Sequence, residues 1–380
     1  MSNAASVTGA VEARTAGYSN KAEVLESVRE YYGEILGGTE DLKTSACTAC
    51  GAPPPAVRAA IKLLPKEVVA KFYGCGNPVP PGIRGLSILD LGSGSGRDCY
   101  VAALFAGKEG SVIGIDMTDE QIAVARDNAE AFRAAHADTA AMDFRKGFIE
   151  DIAGAGVAAG SIDMIISNCV VNLSPNKQLV LQGAYDALRV GGEIYFSDVY
   201  VDRRLSDDAR RHKLLLGECL SGALYTRDFL HMCRRIGFEV RRVSDAPIAV
   251  HDPELADVLG NARFTSTTYR CFKIDPAVQD DEAEDFGQTA VYLGTLPDAK
   301  HGYTLDDEHT FETGRPRMVS GNTASILSAS WLAKHFRVSG DRATHFGGFG
   351  TEAFVAPAKG TTFGAAPAAE GGCCEGGGCC

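Results

Sequence analysis

Positive charge is in short supply in this chain: 37 Lys and Arg stand against 49 Asp and Glu, a net charge of −12. Without a surplus of cations to neutralise phosphates, a general nucleic-acid binder is disfavoured. Long apolar runs are missing too. None reaches the roughly 20 residues of a membrane helix, so no membrane partner is expected. The first twenty residues lack a basic stretch followed by an apolar core, and no secretory signal is visible. Twelve Cys in such a chain do not read as a disulfide framework but as reduced thiols of a cytoplasmic protein. There is no internal repeat, and the eight His include no pair one helical turn apart. What remains is ordinary globular composition, 45% apolar and 23% charged, in 380 residues that suggest two or three domains.

Residues 21–36 place Val24, Leu25, Val28, Tyr32, Ile35 and Leu36 at helical spacing, and 57–73 read as a helix interrupted at Pro65. An alternation then begins. Strands are expected at 87–91, 111–116, 143–148, 162–170 and 193–199, with helices at 97–106, 119–136 and 175–189 between them. Thr118 and Gln121 form a capping-box pattern, and Pro175 suits the first helical position. This repetition predicts an α/β fold, a doubly wound parallel sheet with helices on both faces. A helix near 226–236, a strand at 238–243, a helix at 252–260 and a strand at 264–274 follow. The expected division is an N-terminal helical cap over 1–74 and a ligand-binding domain over 75–275. A small α+β domain over 276–365 and a flexible Cys-rich tail over 366–380 complete it. The α+β domain reads either as a wall of the site or as a dock for a reductant.

The most informative turn is Leu89-Asp90-Leu91-Gly92-Ser93-Gly94-Ser95-Gly96, where a strand gives way to a helix. Glycines permit a sharp turn and close approach of a ligand, and the helix start offers N–H groups to a polar one. The spacing is G-x-G-x-G, with Arg97 where a dinucleotide fingerprint carries its last Gly. That disfavours a nicotinamide dehydrogenase. With Asp90 two residues ahead, the form resembles motif I of class I S-adenosylmethionine-dependent methyltransferases. Asp116 closes the second strand 22 residues after Gly94, where a carboxylate can accept ribose hydroxyls. Phe148-Ile149-Glu150 ends the third strand, either beside an adenine ring or as an ordinary terminus. Ser167-Asn168-Cys169 ends the fourth. On this reading the cofactor is S-adenosylmethionine. Its candidate contacts are Tyr73, Asp90, Gly92, Ser93, Gly94, Gly96, Arg97, Asp116, Met117, Ile149, Glu150 and Asn168. Tyr73 suits either a cation–π contact with a sulfonium or plain packing at a helix end.

Thiols stand where methyltransferases usually carry a carboxylate, a His or Asn-Pro-Pro-Tyr. Cys169 lies in SNCVVNL, Cys219 in LLGECLSGALY, Cys75 in FYGCGNPVP and Cys47 in TSACTAC. FYGCG, LDLGSGSGRDCYV, GIDMT, SNCVVNLSPNKQLVL, GGEIYFSDVY, GECLSGALY and FTSTTYRCFK together resemble the arsenite S-adenosylmethionine methyltransferases, over about residues 20–275. The resemblance implies a class I Rossmann-like fold, with As(III) held by Cys75, Cys169 and Cys219. It also implies that Cys47 and Cys75 pair in a disulfide during turnover. The implied substrate is arsenite or an arsenic–glutathione adduct, the reductant thioredoxin or glutathione, and the role arsenic detoxification. A monomer is expected. The chemistry agrees, since soft thiolates suit a thiophilic centre. Three of them leave arsenic a lone pair that can attack a methyl group without a general base.

Cys50 makes a C-x-x-C with Cys47, but no second pair follows at zinc spacing. Cys99, Cys233 and Cys271 fall within helix or strand patterns and read as small buried hydrophobes. Cys373, Cys374, Cys379 and Cys380 in the Gly-rich tail suit capture of thiophilic ions or simple oxidation. Two rival readings stand beside the arsenic one. The first is a class I methyltransferase for a small organic metabolite, its thiols incidental. The second is a thiol-rich module that sequesters a soft metal, against which the glycine turn and Asp116 argue.

Overall fold

The computed structural model describes residues 21–30, 53–70 and 76–349. Cys47, Cys50, Tyr73, Cys75 and the four tail cysteines lie outside them. Three short helices precede the sheet: α1 (Lys21–Glu30), α2 (Pro55–Ile61) and α3 (Lys66–Ala70). Pro65 falls in the break between α2 and α3, since a proline cannot continue a helix from within.

Five strands build the first part of the sheet: β1 (Ser87–Leu91), β2 (Ser111–Asp116), β3 (Ala141–Lys146), β4 (Ile162–Asn168) and β5 (Leu188–Val201). They run parallel in the order β3-β2-β1-β4-β5. β4 is buried at every position, as an apolar strand covered on both faces must be. α4 (Arg97–Ala106), α5 (Asp119–Ala135) and α6 (Lys177–Ala187) provide crossovers. The strand order reverses between β1 and β4, which opens a crevice at their carboxyl ends.

The sequence pattern predicts a parallel sheet, but the sheet is mixed. After the short helices α7 (Asp207–Arg211) and α8 (Lys213–Gly217), a two-residue strand β6 (Leu224–Tyr225) pairs with β5. α9 (Thr226–Ile236), β7 (Glu239–Ile248), α10 (Pro253–Leu259) and β8 (Phe264–Phe272) follow. β8 lies antiparallel between β5 and β7. The chain leaving β7 turns back through α10 and lays β8 beside it, which an antiparallel neighbour permits without a full crossover. Two local expectations also fail. Thr118 makes no side-chain cap, and its N–H, which a capping box would give to Gln121, donates instead to Asp116 Oδ1 at 2.8 Å. α6 starts after Asn176, whose side chain accepts from Leu179 N, rather than at Pro175.

The C-terminal lobe holds a two-stranded pair, β9 (Glu284–Asp285) with β15 (Gly347–Gly348), and a sheet of β10 (Thr289–Tyr292), β13 (Pro316–Met318) and β14 (Phe336–Ser339). A hairpin of β11 (Gly302–Thr304) and β12 (Thr310–Glu312) and a helix α11 (Gly321–Ala329) complete it. Its Tyr292, Leu305, Trp331 and Phe336 share one buried cluster with Ile88, Tyr100 and Phe272 of the main sheet layer. A buried polar knot fixes the junction. Arg270 of β8, 1% exposed, grips both Glu193 carboxylate oxygens at 2.7 Å. It also donates to Tyr303 Oη at 2.8 Å and Leu305 O at 3.2 Å, while Trp331 Nε1 donates to Glu193 at 2.6 Å. Such a pair survives burial because its members are hydrogen-bonded on several sides. Glu193 pairs with Met164, in the amino-terminal half of β4, so the knot lies away from the crevice.

Candidate active site

Gly92, Gly94 and Gly96 all take positive φ, 70°, 51° and 92°, and so form the turn after β1. What a side chain would meet differs among them. A Cβ on Gly92 would collide with Val170, and one on Gly96 would press on Phe144 at 3.0 Å. A Cβ on Gly94 would meet nothing within 4 Å, so that space is left open for a ligand. Gly94 N donates to Asp116 Oδ2 at 2.9 Å, which draws the end of β2 against the turn. Burial raises the Asp116 carboxyl above its ordinary range, opposed by the N–H groups of Thr118 and Gly94. Asp90 is raised much further, by burial first and then by Asp98 and Asp116, although the Cys99 thiol donates to its Oδ2 at 3.2 Å.

The cavity at this turn is walled by Asp90, Gly92, Ser93, Gly94, Asp116, Met117, Ile149, Glu150 and Asn168, all expected from the sequence, and by Cys169. Gly96 and Arg97 are not on its wall. Gly96 packs on Phe144, and Arg97 is buried with its guanidinium 3.6 Å from Asp98. Sequence reasoning missed Asp98, Gln121 and Ser174, and also Leu25 and Val28, which α1 brings to the cavity. The helical spacing of α1 shows that one face is buried but not what it covers.

Cys169 follows β4, its N–H donating to Ser197 O at 2.9 Å, and Cys219 follows α8. They are the non-glycine residues at positive φ among the described residues, at 57° and 61°. An L side chain there is strained by about 1–2 kcal/mol, and such strain gathers at functional sites. The Cys219 Sγ donates to Cys169 O at 3.5 Å. Both cysteines are buried in a cluster with Val24, Val28 and Leu173. Cys169 is disulfide-bonded, whereas Cys99, Cys219, Cys233 and Cys271 keep their thiols. Cys47, Cys75 and their expected pairing fall outside the described residues.

Asn168, expected at the cofactor, has its side chain committed elsewhere. Its Oδ1 accepts from Gly76 N at 3.0 Å, and its Nδ2 donates to Gly76 O at 2.9 Å and to Asp98 Oδ2 at 2.9 Å. The amide thus acts as a rung joining the end of β4 to the residue that follows Cys75 in the chain.

A buried polar cluster beside the cysteines has no sequence signature. Asp198 accepts from Asn172 N at 3.0 Å, Asn172 Nδ2 at 2.7 Å and Val199 N at 2.8 Å. Burial still pushes its carboxyl up to about 6. Lys177 donates to Ser174 O at 2.9 Å, and burial brings its ammonium down to about 8, against the pull of Asp198, Glu150 and Cys219. Ser174 Oγ in turn bonds Glu150 Oε1. No group of three His, Cys, Asp or Glu side chains among the described residues forms a metal-binding set. No described helix is long and apolar enough to cross a membrane.

Comparison with known proteins adds to this geometry. The family described as a methyltransferase domain matches residues 84–237, and the arsenite methyltransferase C-terminal domain matches residues 285–380. An arsenite methyltransferase of Aquipseudomonas alcaligenes is 49% identical over 325 residues, covering 85% of this chain and 93% of that protein. That of Homo sapiens is 39% identical, covering 83% of this chain and 84% of its own. The crystal structure of an arsenic (III) S-adenosylmethionine methyltransferase from Chlamydomonas reinhardtii matches with a TM-score of 0.76 at 53% identity, covering 79% of this chain and 100% of that one.

Proposed function

The chain belongs to the arsenite methyltransferase family, and on that premise we propose that the sulfurs of Cys75, Cys169 and Cys219 hold trivalent arsenic for methylation. The enzyme is an S-adenosylmethionine-dependent methyltransferase whose substrate is arsenite. S-adenosylmethionine supplies a methyl group carried on a sulfonium. The open space at Gly94 fits it, as does the Asp116 carboxylate, which would accept from the ribose hydroxyls. Ile149 and Glu150 stand on the same wall for the adenine end.

Three thiolates leave arsenic a lone pair directed away from the sulfurs. As the As–C bond forms, the methyl carbon parts from its sulfur, which keeps the bonding pair, and arsenic rises formally from As(III) to As(V). Holding the two centres in line would supply most of the rate through proximity. Two thiolates then give up two electrons, join as a disulfide and return arsenic to As(III). Cys47 and Cys75 are the pair assigned to this step. An external thiol reopens the disulfide by exchange, a role suited to thioredoxin or glutathione. The oxidised Cys169 needs the same reduction before it can bind arsenic. On this reading the chain works as a cytoplasmic monomer in arsenic detoxification, on arsenite or its glutathione adduct.

The observation that carries the proposal is the pairing of Cys169, on the wall of the cofactor cavity, with the buried Cys219 behind it, both held in strained backbone. Transfer of labelled methyl from S-adenosylmethionine to arsenite, with glutathione present, tests it. Cys169→Ser and Cys219→Ser should keep cofactor affinity and lose methylation by at least roughly a hundredfold. Full activity in either variant would overturn the three-sulfur arrangement.

A further inference from the structure

A second cavity, of about 280 Å3, lies outside the site described above, between α6, α9 and the segment that holds Arg204 and Arg210. The charged residues on its wall include three arginines, Arg204, Arg210 and Arg235, against one carboxylate, Asp228. A protein of net charge −12 thus gathers two surplus positive charges in one hollow.

The three arginines are not equivalent. Arg204 is committed, its Nε and Nη2 bonding Asp228 at 2.7 and 2.5 Å and its guanidinium lying over the Tyr225 ring at 5.7 Å. Arg210, half-buried on α7, and Arg235, exposed in the last turn of α9, have side chains with no hydrogen-bond or ion-pair partner among the described residues. A guanidinium carries five donors, and partial burial without an acceptor is unfavourable. Desolvation accordingly lowers the Arg210 pKa, against the pull of Asp207 and Asp228. The rest of the wall includes Leu224, Met232 and Ile236, which suits a carbon skeleton better than a bare ion.

We propose that this cavity binds a small organic anion with two or more negatively charged oxygen groups, held by Arg210 and Arg235. Arginine forks match carboxylate and phosphate oxygens two bonds at a time. The site is separate from the glycine turn and does not depend on the arsenic reading.

Calorimetric titration of the full chain with citrate, at fixed ionic strength, tests the assignment. Citrate should bind one to one with a Kd below about 1 mM, and Arg210→Gln/Arg235→Gln should weaken it at least tenfold. Unchanged S-adenosylmethionine affinity in the variant shows that its fold is intact. If that control fails, Arg235→Gln alone, at an exposed position, gives the same comparison. Inorganic phosphate that displaces citrate assigns recognition to charged oxygens in general, and phosphate that does not displace it assigns recognition to carboxylates. No citrate binding by the wild type, or equal binding by the variant, overturns the proposal.

Discussion

Gly94→Ala would put a methyl group into open space above the turn and force an L residue to hold a φ of 51°. The strain is about 1 kcal/mol, so thermal unfolding should shift little. S-adenosylmethionine affinity, measured by equilibrium dialysis, should fall at least tenfold, because the methyl occupies the ligand's place. Gly92→Ala should do the reverse. Its methyl meets Val170, so stability drops by about 1–3 kcal/mol while the open space at Gly94 is untouched. Spacing marks both glycines equally, since it records backbone freedom and not what the absent Cβ would touch. The cysteines show the same limit. Cys169 and Cys219 are legible as thiols, but their left-handed backbone depends on packing around them and leaves no trace in the sequence.

Between elements, Asn168 is the joint that matters most. Asn168→Ala would strip Gly76 of two hydrogen bonds and Asp98 of one, an unfavourable change of about 1–3 kcal/mol. Because Gly76 adjoins Cys75, methylation should fall tenfold or more while cofactor affinity falls less, with both followed in the same preparations. Asn168→Asp should not rescue it, since a carboxylate cannot donate to Asp98. Asp198 predicts a pH effect. Its folded pKa is raised to about 6, from an unfolded value of about 3.9. The fold therefore binds this proton more tightly than the unfolded chain does. The resulting stabilisation is full below the unfolded value and is lost as pH rises through about 6. In urea unfolding, the stability of wild type relative to Asp198→Asn should be greater at pH 5 than at pH 7. Periodicity located β1, β2 and β4 and their helices well, because a buried face repeats at the period of its element. It could not give the direction of β8, since an apolar strand reads alike whether its neighbours run with it or against it.

Across the whole molecule, the sequence marked a C-terminal α+β region but not where it would sit. Its location follows from Tyr303, Leu305 and Trp331, which folding brings onto the Arg270–Glu193 pair of the main sheet. Arg270→Ala would leave a buried carboxylate without its cation, so unfolding free energy should fall by about 3–5 kcal/mol in denaturant titration. Cofactor affinity should hold at temperatures where the variant stays folded. Four residue steps along β5, about 13 Å of strand, take the chain from Glu193 to Ser197, whose carbonyl receives the Cys169 N–H. The lobe is therefore fastened to the sheet at a distance from the sulfurs. Trp331, the only tryptophan in the chain, is bound to that distant carboxylate. The molecule thus carries a built-in fluorophore that watches one end. Its emission should stay constant as cofactor or arsenite saturates the crevice, and move to the red only when the lobe leaves the sheet.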